Sequence, residues 1–154
     1  MSGAAERLAA LGLTLPPVAP PVAAYVPAVR TGTYVYTSGQ LPTVNGKLPA
    51  VGKVGAEVSA EDAAGMARTC ALNALAAAAS AAGGLEAIRR IVKVTGFVAS
   101  APGFSGQPQV INGASELLIE VFGEDGKHAR SAIGVAELPL NAPVEVELIA
   151  EVRD

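Results

Sequence analysis

From Val144 to Val152 the chain alternates with a period of two. Val144, Val146, Leu148, Ala150 and Val152 share one side of an extended strand, and Glu145, Glu147, Ile149 and Glu151 share the other. Such a strand has to be covered on its apolar side and left open on its acidic side, which implies a sheet with helices on one face only. Ile149 among the carboxylates argues that a neighbouring subunit meets this open face, where polar groups at the junction would build a site. Just upstream, His128-Ala129-Arg130-Ser131-Ala132-Ile133-Gly134-Val135 sets a single arginine ahead of two apolar strands.

The remaining elements follow from local chemistry. Ala4 to Leu11 reads as a short helix, ended by Gly12 and followed by the proline cluster Pro16 to Pro21, an extended connector. Tyr25 to Val29 and Thr33 to Thr37 are β-prone runs joined around Thr31-Gly32 as a hairpin. Ser38-Gly39-Gln40-Leu41-Pro42 closes the second run, and Asn45 to Gly55 reads as loop. Ser59 is a helix N-cap with Glu61 and Asp62 in the first turn, opening an alanine-rich helix that Gly83-Gly84 stops after Ala82. Ile91 to Ala99 is a β-branched strand. A second long helix fits Val110 to Phe122, where Ile111, Ala114, Leu118 and Val121 recur at helical spacing and Gly123 caps the end. The order is ββ-α-β-α-ββ, an α+β fold with two helices on one face of a mixed sheet. It divides into an N-terminal helix and connector over residues 1–24 and a single domain over 25–154.

A chain of 154 residues can bury a real core without disulfides or metal. The formal net charge of -3 gives no basic surface of the kind that phosphate backbones attract, so nucleic acid is not an expected partner. Cys70 is the only cysteine, which rules out an intrachain disulfide or a thiolate metal cluster and fits the cytoplasm. No segment reads as a secretory signal or a membrane span. His128 is the only histidine. As a loop residue with no sequence pairing to a serine or cysteine nucleophile it is expected to be solvent-exposed, and Cys70, among helical alanines, is expected to be packed and inert. No metal-ligand spacing is present, and Gly52-Lys53-Val54-Gly55 lacks the phosphate-loop pattern.

Two side chains carry usable chemistry. The Arg130 guanidinium presents a planar, always-charged fork that matches a carboxylate bidentately, although position alone better suits a surface arginine at a strand entrance. Glu145 can orient a water and accept its proton if a partly desolvated cleft raises its pKa. Glu147 shares its face and competes for that role, and Glu151 reads as solvated. Ser38 and Gly39 form a turn that can bring backbone close to a ligand.

With these elements in place, the chain resembles the YjgF/RidA family of imine deaminases, which also carries the older label endoribonuclease L-PSP. The resemblance rests on Ala129-Arg130-Ser131 through Val135, Leu138-Pro139 and Val144-Glu145-Val146-Glu147, with Thr37-Ser38-Gly39-Gln40-Leu41-Pro42 and Asn112 at matching places. It implies a chorismate-mutase-like fold, a homotrimer and a ligand site in each cleft between subunits. It further implies cofactor-independent hydrolysis of small enamines or imines to keto acids and ammonia. Arg130 would clamp the substrate carboxylate and Glu145 would position water, with Tyr25, Ser38, Gly39, Asn112 and Ala132 binding substrate. Ala132 stands where the archetype has a cysteine, and the N-terminal extension and the loops after Pro42 and around Pro102 to Gln109 look like a divergent branch. The same cleft would serve a non-catalytic protein that binds small carboxylates. RNA cleavage follows only from the family's older names.

Overall fold

A computed structural model describes residues 3–21 and 23–154. Its regular elements are α1 (Ala4–Ala10), β1 (Ala28–Thr31), β2 (Tyr34–Thr37), α2 (Ala60–Ala82), β3 (Ile88–Ala99), α3 (Gln107–Phe122), β4 (Ala129–Val135) and β5 (Val144–Val152). The strands form one sheet in the order β1-β2-β5-β3-β4, parallel between β3 and β4 and antiparallel elsewhere. The parallel pair requires a crossover, and α3 supplies it. The expected ββ-α-β-α-ββ order and mixed sheet are present, with α1 as a third helix against α3.

Helix α2 begins where Ser59 Oγ accepts from the Asp62 N–H at 3.1 Å. It ends at Gly83, whose φ of 95° is the left-handed conformation that closes a helix cheaply only at glycine. Its alanines let it lie close to the sheet and to α3. At the crossing a Cβ on Gly113 would meet the Ala64 carbonyl oxygen at 1.9 Å, so the two helix backbones touch there. Val94 and Val98 of β3, the apolar side of β5, and Ile111, Leu117 and Leu118 of α3 complete the core. Leu8 of α1 is buried in the same cluster.

Three boundaries differ from expectation by three residues, each for a local reason. The first strand starts at Ala28 rather than Tyr25, because Pro27 has no N–H to donate and only its carbonyl joins the ladder, accepting from Ser38 N at 2.8 Å. Helix α3 starts at Gln107 rather than Val110: Pro108 falls in the stretch read as a loop, yet the first helical turn tolerates proline because its N–H groups have no intrahelical partner. Strand β3 starts at Ile88, fed directly by a 3-10 turn over Leu85–Ala87, and accommodates register shifts between Ile88 and Lys93.

Candidate functional site

Regular pairing of β2 with β5 fails where the sequence reads Thr37-Ser38-Gly39-Gln40. Tyr36 pairs with Ile149 and Gln40 bridges Val146, so three residues on one side face two on the other, a bulge of one residue. The Thr37 hydroxyl accepts from the Leu148 N–H at 3.0 Å and replaces the missing backbone partner. The bulge carries Gly39 over the side chain of Glu145: a Cβ on Gly39 would lie 2.7 Å from Glu145 Oε2 and 2.8 Å from its Cδ. Ser38 Oγ donates to the Val26 carbonyl at 2.6 Å, tying down the segment that holds Tyr25, itself 45 % exposed. Ser38, Gly39, Glu145 and the Tyr25 segment thus form one cluster. Burial, and then the like charge of Glu147 two residues on, push the Glu145 carboxyl above its ordinary value.

Arg130 stands elsewhere. It pairs with buried Val94 on β3, which places it on the helix-covered side of the edge strand β4. There its Nη1 donates to Asn112 Oδ1 at 2.8 Å and to Ser115 Oγ at 3.2 Å, and its Nη2 to the Pro108 carbonyl at 3.4 Å. All three acceptors are uncharged, and among the described residues no carboxylate lies within ion-pair distance of Arg130. The guanidinium is oriented but not neutralised, and its Nε–H and second Nη2–H have no acceptor among the described residues. Ala132, half-buried and two residues along, shares this side of β4.

The expected residues therefore fall into two groups on opposite sides of one sheet. Arg130, Asn112 and Ala132 lie toward the helices, while Glu145, next to Gly39 and Ser38, alternates with buried Val144 and Val146 and faces the open side. Within a single chain the arginine and the glutamate do not meet.

His128 departs from expectation. It is half-buried, with Nε2 2.9 Å from Ser115 Oγ and Nδ1 2.6 Å from the Gly126 carbonyl. Ser115 was not among the expected site residues. Its signal was present: it sits on the same helical stripe as Ile111 and Leu118, where a lone hydroxyl among apolar residues needs a buried partner. Cys70 is fully buried, and burial pushes its thiol well above the ordinary range. A concavity of about 360 Å³ lies between the proline connector and α2, lined by Pro16, Pro20, Val44 and Leu72, and brings no titratable group. Among the described residues no His, Cys, Asp and Glu cluster is arranged to hold a metal. Among the described residues no helix is long and apolar enough to cross a membrane.

The family model described as "YjgF/chorismate mutase-like, putative endoribonuclease" matches residues 5–152. The chain belongs to the YjgF family. The matched span takes in α1 and the proline connector as well as the sheet. Protein TCP17 of Trypanosoma cruzi is 41% identical over 151 residues, covering 97% of this chain and 94% of that protein. Among solved YjgF-like structures, the protein Atu1372 of unknown function from Agrobacterium tumefaciens superposes with a TM-score of 0.90 at 47% identity, over 97% of this chain and 92% of that one. Escherichia coli TdcF, solved with bound serine, gives a TM-score of 0.61 at 30% identity, over 91% of this chain and 94% of that one.

Proposed function

We propose that this YjgF-family chain hydrolyses small 2-imino acids, and their enamine tautomers, to the 2-keto acid and ammonia in a cleft between copies of itself. The observation that carries the reading is an oriented, un-neutralised arginine on one side of the sheet and a half-buried, proton-avid glutamate on the other. Each copy would lend its Arg130 side to one cleft and its Glu145 side to the next. A closed ring satisfies every half-site in that way, and the homotrimer implied by the family resemblance is such a ring.

In the cleft the Arg130 fork holds the substrate carboxylate, assisted by the placement of Asn112 and Ala132. Glu145 accepts a proton from a water as its oxygen adds to the imine carbon. Glu145 returns that proton to nitrogen to give the carbinolamine, the hydroxyl proton then follows it to nitrogen as the C–N bond breaks, and ammonia leaves as the carbonyl forms; the sum is imine plus water giving ketone plus ammonia. Its raised proton affinity makes the carboxylate a stronger base than an ordinary glutamate. The imine carbon is already electrophilic, so the residues need no cofactor. Ser38, Gly39 and the Tyr25 segment close the Glu145 side around the nitrogen. TdcF, a relative with bound serine, supports a ligand of this size carrying a carboxylate and a nitrogen. A lone, buried Cys70 suits a reducing cytoplasm.

Subunit mixing tests the reading. Arg130→Ala and Glu145→Gln variants should each lose imine turnover in an amino-acid-oxidase coupled assay while keeping the oligomeric mass by light scattering. Unfolded together and refolded one to one, they should recover about a quarter of wild-type activity, since random pairing gives one cleft in four both intact groups. No recovery would refute a shared cleft.

A second reading, a non-catalytic binder of small carboxylates, is favoured by Ala132 standing in place of the archetypal cysteine. Wild-type protein that binds pyruvate in calorimetry without accelerating imine decay would establish it. RNA cleavage gains nothing from the geometry: both ring nitrogens of the single histidine are engaged, so it offers no free base.

A further inference from the structure

The contacts of His128 define the direction of a hydrogen-bond chain. A carbonyl oxygen only accepts, so the 2.6 Å contact to Gly126 puts the proton on Nδ1. Half-burial outweighs the opposing pull of the Gly126 hydrogen bond and, with the Arg130 charge, holds the imidazole below its ordinary pKa, so the ring is neutral at pH 7 and Nε2 is an acceptor. The Ser115 hydroxyl therefore donates to Nε2 at 2.9 Å, leaving its oxygen to accept from Arg130 Nη1 at 3.2 Å. A serine in a helix ordinarily turns its hydroxyl back to the carbonyl four residues earlier. Here the histidine holds it outward. The far end is placed by packing too: a Cβ on Gly126 would fall 2.2 Å from the Leu118 carbonyl oxygen, so this backbone lies directly against α3.

We propose that Ser115 and His128 are positioning residues for Arg130, a relay running from the guanidinium through the serine hydroxyl and the imidazole to the Gly126 carbonyl. Its role is to hold the arginine fork at the angle that receives a 2-keto or 2-imino carboxylate. Ser115 is 8 % exposed, so it acts through Arg130 rather than on a ligand directly. Three uncharged acceptors orient the guanidinium without quenching its charge, which a carboxylate partner would do. This rests on the reading of Arg130 as the carboxylate seat.

The neutral tautomer separates the relay from ordinary packing. Nitrogen-15 NMR of His128 at pH 7.5 should show the Nδ1–H form, and an Nε2–H form overturns the proposal whatever the activity of the protein. Calorimetry with pyruvate, run on the folded oligomer, supplies the functional arm. Ser115→Ala and His128→Leu should each weaken binding about tenfold, the scale of one hydrogen bond to a charged group. His128→Gln, which can offer an acceptor oxygen near the Nε2 position, should stay within about threefold of wild type. In an Arg130→Ala background, His128→Leu should add nothing. In imine turnover the loss should fall on KM with kcat little changed. If His128→Gln and His128→Leu bind alike with matching thermal midpoints, the relay is refuted while the anion seat stands. If wild-type protein binds no pyruvate, the seat falls and the relay with it. Pyruvate binding with the expected tautomer and no turnover leaves the relay in place and removes only the deaminase reading.

Discussion

Gly39→Ala isolates the placement of one carboxylate from the stability of the fold. The new methyl carbon would start 2.7 Å from Glu145 Oε2 and 2.8 Å from Cδ, and ordinary contact begins near 3.4 Å. The backbone at Gly39 is not in the left-handed region, so alanine brings no conformational strain there. The obstacle is the far end of a flexible side chain, which yields by rotating. Relief requires the carboxylate to move by roughly 0.7 Å, at a cost to folding below about 1 kcal/mol. Catalysis is less forgiving, because a displacement near 1 Å of a group that must aim a water costs on the order of a hundredfold.

The expected result is a protein with wild-type mass, a thermal midpoint within roughly 3 °C of wild type, and imine kcat reduced about 10- to 100-fold. Pyruvate affinity, set by Arg130 on the other side of the sheet, should hold. Steady-state kinetics in the oxidase-coupled assay, alongside scanning calorimetry, measures both. Since the effect runs through Glu145, Gly39→Ala should do no further harm in a Glu145→Gln background. Full activity in Gly39→Ala, or a further loss on top of Glu145→Gln, would refute the assignment of Glu145 as the water-orienting group.

Gly113→Ala probes the fold alone. Its methyl would meet the Ala64 carbonyl at 1.9 Å, backbone against backbone, so α3 has to move off α2. The expected loss is about 3 kcal/mol, or roughly 6 to 12 °C in thermal midpoint for a chain of this size; a shift under 2 °C would show that the helices do not touch there. Glu145 carries a pH signature. Its pKa in the folded protein lies above the unfolded value near 4.5, so the folded state holds the extra proton between the two values and stability falls as pH rises through that window. Glu145→Gln should therefore melt higher than wild type at pH 7, and the gap should close below pH 4.5. A lower midpoint at pH 7 would mean that the carboxylate is stabilised rather than strained.

What was legible in the sequence divides along the line between local and long-range chemistry. Helix α2 was readable end to end because Ser59 and Gly83 act on neighbouring backbone. The open face of β5 was readable because alternation needs no partner. The start of α3 was missed because Pro108 means opposite things in a loop and in a first helical turn, and only the helix position decides. The opposite placement of Arg130 and Glu145 was beyond local reading. Which way Arg130 points depends on the parallel register that sets it beside Val94 rather than beside Lys93 or Thr95, and tertiary packing fixes that register. His128 was read as exposed for the same reason: its partner Ser115 lies across the α3–β4 connection.

Both halves of the proposed site stand where regular sheet pairing gives out, and this has a physical cause. A strand paired on both edges and covered by helices leaves neither room for a ligand nor a polar group without a partner. Arg130 sits on β4, which has one free edge, and Glu145 lies opposite the bulge at Ser38-Gly39, where Thr37 repairs the ladder with its own hydroxyl. A regular strand in place of that bulge would restore the backbone hydrogen bond and relieve the crowded carboxylate, stabilising the sheet. It would also shift the pairing by one residue and turn Gly39 away from Glu145. The irregularity weakens the sheet and builds the half-site in the same stroke, as expected where a backbone is selected for what it presents rather than for stability alone.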